Sequence, residues 1–385
     1  MKKICYFFTL ILFFNLCGCV NQKTDEIKIG VLAPLTGNLA QYGQAVLNGV
    51  KLYVDAYNEN GGLGGKPIAC IEYDEEGDCS KAIVGFNFLV DKGIAGLVGD
   101  APSVQTLAIV DDASKQNFPV ITPTATAVGV TYDEEKKEVR KNLFRACFLD
   151  SHQGEKMAIF AKKELKANKA AVLCCTENDH SMEAKDFFVK KAKELGIKIV
   201  AIESFLSDSK DFKGQLTNIL SKKPDCLFIP YYYETIPLIA SQAKSIGLSC
   251  TMLGTDGWDS LTSIILDPTL FEDSYFCSAY STSDPNEMAQ TFLNDYRKKF
   301  GRDPNTFDAE GYDAAKILIS AIEKVCFKKI SLGTPEFKQG VIDAMKETDL
   351  ECVTGHISFD EFNNPIKNVV VNKIVGGKAI FCEKY

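Results

Sequence analysis

Histidine is scarce in this 385-residue chain: His152, His180 and His356 are the only three, and they lie far apart. There is no H-E-x-x-H pair, no G-x-S-x-G turn and no nucleophile set beside a histidine, so an enzyme is the least supported class. Positive charge is short as well. Forty-three Lys and Arg stand against 51 Asp and Glu, a net charge of −8, and nucleic acid would need the opposite balance. No 20–50-residue repeat and no low-complexity block occurs. After the first twenty positions no apolar run approaches the ~20 residues of a membrane span. The acidic run "DEEGD", 74–78, fails the spacing of a calcium loop and reads as a solvated loop. "GGLGG", 61–65, closes a helix and enters a strand, the reverse order of a phosphate loop, so it is a turn. Neither a metal nor a cofactor is implied.

Cysteine, by contrast, is plentiful, and its first copies belong to a targeting segment. Lys2 and Lys3 precede a mostly apolar run from Ile4 to Leu16, which is too short to span a bilayer and ends in Leu16-Cys17-Gly18-Cys19. That tetrapeptide resembles a bacterial lipobox. It implies a signal peptide over 1–18, lipidation of Cys19, and a short tether over 19–26. More than one acyl chain on Cys19 would hold the protein at a membrane surface, outside the cytoplasm. Removal of the signal leaves 385 − 18 = 367 residues with a charge of 41 − 51 = −10, a size suited to two lobes. Of 14 cysteines, Cys5, Cys17 and Cys19 are accounted for, so 11 remain. An odd number leaves at least one unpaired or paired between chains, and the spacing does not say which disulfides form.

The rest alternates short apolar runs with helix-periodic stretches. Ile27–Ala33 reads as a strand, and a helix follows with Val46, Val50, Tyr53, Val54 and Tyr57 on one face. Gly196 and Gly247 stand where helices end. The pattern predicts an α/β fold with parallel sheets. In such sheets ligands sit beyond the carboxyl ends of the strands. The segments there are "PLTGNLAQYG", "GDAPSVQT", "TPTAT", "CCTENDHS", "PYYYE" and "GTDGWDS". They hold hydroxyls, aromatics and, at Asp256, one well-placed acid. Asp before an apolar run often caps a helix, and Asp259 suits that role better than Asp256.

The ordered series "IKIGVLAPLTGNLAQYG", "NENGGLGGKPI", "IEYDEEGDCSKA", "FPVITPTAT", "FRACFLDSHQG", "DHSMEAKDF", "QAKSIGL" and "LGTDGWDS" resembles the type I periplasmic binding proteins. The likeness is to the leucine/isoleucine/valine-binding branch of amino-acid ABC importers, and it runs from about Ile27 to the C-terminus. It implies two lobes, each a parallel sheet flanked by helices, that close like a hinge. Three crossovers are expected near Arg145–Cys147, Phe276–Ser278 and Gly355–Phe359. Lobe 1 would comprise 26–146 plus 277–355, and lobe 2 147–276 plus 356–385. The implied ligand is an α-amino acid, branched-chain or small aliphatic, with alanine, serine, threonine and valine included.

By this resemblance Ser103 and the start of its helix receive the ligand's carboxylate, where free N–H groups favour an anion. Thr124 and Thr126 contact the ammonium and the carboxylate, and Asp256 pairs with the ammonium. Tyr42 lies over the ligand's side chain, and Tyr232 reaches in from lobe 2. Trp258 has no fixed counterpart: it either lines the pocket or packs at the hinge. His180 stands where the family often has a tyrosine, which leaves its contact open. A disulfide that some relatives carry around Gly77 and Pro102 cannot form here. The expected partners are the amino acid, ABC permease subunits and, through the anchor, a membrane; the chain is expected to act as a monomer. A sensory subunit, an amide or urea binder, and a same-fold lipoprotein that activates cell-wall enzymes are the alternatives.

Overall fold

The computed structural model describes residues 26–385. The signal peptide 1–18, Cys19 and the tether up to residue 25 lie outside the described residues.

The chain first builds a fully parallel sheet. Its elements are β1 (Ile27–Ala33), α1 (Ala40–Glu59), β2 (Ile68–Asp74), α2 (Cys79–Asp91), β3 (Leu97–Gly99), α3 (Ser103–Lys115) and β4 (Val120–Thr122). A two-residue hairpin, β5 (Tyr132–Asp133) with β6 (Glu138–Val139), leads to β7 (Leu143–Arg145). The strand order is β2-β1-β3-β4-β7. The inner strands β1, β3 and β4 read as mostly apolar runs because helices cover both faces, whereas the edge strand β2 is largely half-buried. β3, β4 and β7 are buried throughout.

A second sheet follows, from α4 (Asp150–Lys163), β8 (Lys169–Cys175), α5 (Asp179–Glu194), β9 (Lys198–Phe205), α6 (Lys213–Lys222), β10 (Cys226–Phe228), α7 (Ile236–Ser245), β11 (Thr251–Gly254) and β12 (Tyr275–Ser278). Strands β12-β11-β10-β8-β9 run parallel. The chain then returns to the first lobe with α8 (Glu287–Phe300), α9 (Thr306–Phe327), α10 (Pro335–Lys346) and the hairpin of β13 (Asp349–Cys352) with β14 (Gly355–Ser358). Finally β15 (Val370–Val375) and β16 (Lys378–Lys384) extend the second sheet beyond β12, both antiparallel to their neighbours. The α/β class and the two lobes are as the sequence predicts; the antiparallel edge is an addition.

Three segments join the lobes. The first follows Arg145 and the second follows Ser278, where Ala279 N donates to Thr306 Oγ1 at 3.1 Å. The resemblance sets the third at Gly355–Phe359, but the chain stays on the first lobe for longer. Phe359 packs on Phe144 at 5.1 Å, and Asn363 Nδ2 donates to Leu143 O at 3.0 Å.

Glycines let helices touch backbone to backbone. A Cβ on Gly49 of α1 would stand 1.9 Å from Asp308 O of α9, and one on Gly154 of α4 would stand 2.3 Å from Ala184 O of α5. "GGLGG" is the turn expected, with Gly61, Gly62, Gly64 and Gly65 all at positive φ. "DEEGD" is not simply solvated. Asp74 accepts from Leu35 N and Thr36 Oγ1, Glu75 is fully buried, and Asp78 caps α2 by accepting from Lys81 N. Among the described residues eleven cysteines are free, and no helix is long and apolar enough to cross a membrane.

Candidate ligand cleft

The carboxyl ends of the two sheets face one another across a cleft. Between them lies about 310 Å³ of space free of protein atoms, part of it open to solvent. Six of the residues singled out by sequence line it: Tyr42, Ser103, Thr124, Thr126, Tyr232 and Asp256. His180, Gly257 and Phe307 line it too, with Ala101 and Pro102.

The first lobe offers the anion-seeking wall. β3 delivers the chain to Pro102, the residue before α3, and no side chain caps that helix. Its first amides therefore keep their attraction for a negative group. Ser103 Oγ accepts from Thr126 N at 3.2 Å and Ala127 N at 3.3 Å, so its hydroxyl proton is left to donate elsewhere. Thr124 Oγ1 instead donates to Ala101 O at 2.7 Å and holds two cleft loops together. Behind them the fully buried Arg145 donates to Ala125 O at 2.9 Å and Ala127 O at 2.8 Å. That bracing keeps the loop after β4 in one conformation.

The second lobe offers the acid. Asp256 follows β11, is almost wholly buried, and its N–H donates to Gln153 Oε1 at 2.9 Å. Burial pushes its carboxyl from 3.8 up to about 6; His180 opposes the rise and Asp150 adds to it. His180 stands between those acids. Its Nδ1 is 2.5 Å from Asp150 Oδ1, and its Nε2 is 2.9 Å from Thr255 Oγ1 and 4.0 Å from Asp256 Oδ1. Burial alone would lower the imidazole, but the charge and hydrogen bond of Asp150 outweigh it and lift it to about 9.

Aromatic rings close the remaining side. Tyr42 on α1 meets Phe307 at 4.6 Å and Tyr232 at 5.7 Å, both edge-on. Its hydroxyl donates to Gly257 O at 2.7 Å and accepts from Tyr233 N at 3.2 Å, which bridges the lobes. The three tyrosines after β10 divide their work. Tyr231 packs on Phe205 in the core, Tyr232 faces the cleft, and Tyr233 Oη donates across the lobes to Asn38 O at 2.8 Å.

Two sequence readings change. Trp258 does not line the space: it is fully buried, its Nε1 donates to Ile229 O at 3.0 Å, and its ring covers Gly254 so closely that a Cβ there would clash. Asp259 is not a cap. The position before its short 3-10 helix is Thr255, and Asp259 accepts from Ser278 Oγ at 2.6 Å and Thr306 N at 3.2 Å, tying the second crossing to α9. The residue undervalued by sequence is His180, the one histidine within the six strand-end segments. Among the described residues no group of three or more His, Cys, Asp or Glu is placed to hold a metal.

Two sheets that face each other across a hinged cleft, with polar groups on both walls and rings on a third, define a two-lobed solute-binding protein. The chain belongs to the periplasmic binding protein family, which it matches over residues 26–378. It is 28% identical over 345 residues to a leucine-, isoleucine-, valine-, threonine- and alanine-binding protein of Pseudomonas aeruginosa, covering 89% of this chain and 87% of that one. Among solved structures, the branched-chain amino acid transporter substrate-binding protein LivJ of Streptococcus pneumoniae, in complex with isoleucine, superposes with a TM-score of 0.84 at 30% identity, covering 94% and 99% of the two chains. The leucine-binding protein LivK of Thermotoga maritima gives 0.83 at 30% identity, covering 93% and 98%.

Proposed function

We propose that this chain is a lipid-anchored, extracytoplasmic solute-binding protein of an ABC importer, and that it captures a branched-chain or small aliphatic α-amino acid between its lobes. The observation that carries the reading is the pairing of walls. A buried acid, Asp256, on one lobe faces the uncapped start of α3 with Ser103 on the other, and Tyr42, Phe307 and Tyr232 line the space between. An ammonium suits the first wall, a carboxylate the second and an apolar side chain the rings. The relatives named above, which bind leucine, isoleucine, valine, threonine or alanine, accord with this choice. Thr126, whose Oγ1 lies 3.2 Å from His180 Nδ1, and Thr124 shape the wall around the carboxylate.

The test is a thermal-shift screen of the full chain, purified in detergent and freed of ligand, against the L-amino acids, urea and short amides. A ligand that binds only the folded state must raise the melting temperature. A rise with leucine, isoleucine and valine, or with alanine and threonine, is expected. No rise with any amino acid would retire the reading. In the same assay Asp256→Ala should weaken binding by about 3–5 kcal/mol, as expected for an ion pair losing one partner. The anchor has its own check: Cys19→Ser should release the protein from the membrane fraction, and the intact protein should carry acyl mass at its mature N-terminus.

A further inference from the structure

We propose that His180 is a positioning residue of this cleft: a cationic ring, clamped by Asp150, that cancels one of two buried acids and so restricts the ligand to amino acids with an uncharged side chain. The inference rests on the amino-acid reading above. Asp150 opens α4 and is fully buried. Its Oδ1 takes His180 Nδ1 at 2.5 Å and Gln153 Nε2 at 3.2 Å, while its Oδ2 has no hydrogen-bond partner. With a neutral imidazole, that carboxylate would keep its hydrogen bonds from Nδ1 and Gln153 but would be a buried charge with no counter-charge beside it, which is strongly unfavourable. The ring therefore keeps both protons, one directed at Asp150 and the other at Thr255 Oγ1 and, beyond it, Asp256. Stacking on Tyr232, at 5.5 Å and 15°, fixes the plane. The contact of Nδ1 with Thr126 Oγ1 reaches the opposite lobe.

The charges around the ligand then sum simply. Asp150 and Asp256 against His180 leave one negative charge, which one ammonium satisfies. Of the other ionisable neighbours, Lys367 lies 3.4 Å from Glu310, both buried, and Arg145 is held by the carbonyls of Ala125 and Ala127. Glu183 also acts on His180; it accepts from Val128 N, and burial pushes its carboxyl up to about 7. A second ammonium on the ligand would meet an imidazolium rather than an acid.

The first measurement is an NMR pH titration of the full chain with isotope-labelled histidine, with the His180→Gln spectrum used for assignment. The His180 ring should stay protonated through neutral pH and lose its proton near pH 9; titration at or below its ordinary value near pH 6.5 overturns the proposal. Binding supplies the second readout. His180→Gln should weaken the aliphatic ligand on the order of thirty-fold and improve the relative affinity for 2,3-diaminopropionate. The double variant Asp150→Asn, His180→Gln restores the single negative charge and should recover most of the aliphatic affinity. A purely structural strut would not be rescued this way, so a double variant no better than His180→Gln sinks the idea. If the wild type bound no amino acid at all, the functional reading would fail, whereas the titration judges His180 alone.

Discussion

To hold the ammonium of the proposed ligand, Asp256 would have to be charged in a place that resists charge, and that conflict would give the cleft a pH dependence. Its carboxyl stands near 6 instead of 3.8, chiefly because it is buried. An ammonium needs the ionised form, so affinity should be full above pH 6. It should weaken as pH falls through that value, approaching a tenfold loss per unit. In the unliganded closed form the sign for stability is opposite. A carboxyl whose folded value is raised binds more protons folded than unfolded, so it contributes a penalty that grows as pH rises from 3.8 to 6 and stays in place above. That penalty is about 3 kcal/mol at most, and ligand relieves it. Calorimetric titration from pH 4.5 to 8 checks this; a flat affinity would mean another group holds the ammonium. Trp258 is the contrasting case. Trp258→Phe removes the indole donor to Ile229 O, which keeps Tyr231 N at 3.0 Å, and should cost about 0.5–1.5 kcal/mol in urea unfolding, while ligand affinity stays within about twofold. The position of both residues after a strand was legible in the sequence. Which of them faced the cleft was not, because that depends on contacts with Ile229 and Gln153, 29 and 103 residues away.

At the scale of elements, the pair of α1 and α9 matters most, because each helix carries one ring of the cleft wall. Tyr42 rides on α1 and Phe307 on the first turn of α9, which Asn305 and Asp308 fasten in a capping box. The two helices approach so closely at Gly49 that any Cβ would strike the Asp308 carbonyl. Gly49→Ala should therefore push the helices apart, lower stability by about 1–3 kcal/mol, and weaken ligand binding as the rings separate. Denaturant unfolding with calorimetry would show both effects; a change in stability alone would mean the rings do not depend on that spacing. Periodicity made α1 readable: Val46, Val50 and Val54 are buried, with Tyr53 and Tyr57 half-buried against the same core. The "DEEGD" segment was misread for the converse reason. Its composition is that of a surface loop, and only the fold buries Glu75, whose N–H donates to Ala33 O at the end of β1. The antiparallel strands β15 and β16 were likewise invisible, since a strand's partner is not written in its own residues.

For the whole molecule, the question is what holds the lobes together over a ligand. Tyr42 Oη donates to one backbone carbonyl of the second lobe and accepts from one backbone amide, and Tyr233 Oη returns a third bond to Asn38. These bonds cross from one lobe to the other, so a hinge opening would break them, and they would bias an equilibrium between open and closed forms without any need to touch the ligand. Tyr42→Phe keeps the ring over the cleft and deletes two of the three. At a net ~0.5–1.5 kcal/mol for each bond, the closed form should lose about 1–3 kcal/mol, and ligand affinity should fall on the order of tenfold. The loss should appear in the dissociation rate, because the open cleft that the ligand enters is unaltered. Stopped-flow kinetics, with small-angle scattering to follow the compaction on ligand addition, separates the possibilities. A slower association with unchanged dissociation would place Tyr42 at the entrance rather than at the clasp, and the hinge would then be governed by the Asp259 tie between Ser278 and Thr306 instead.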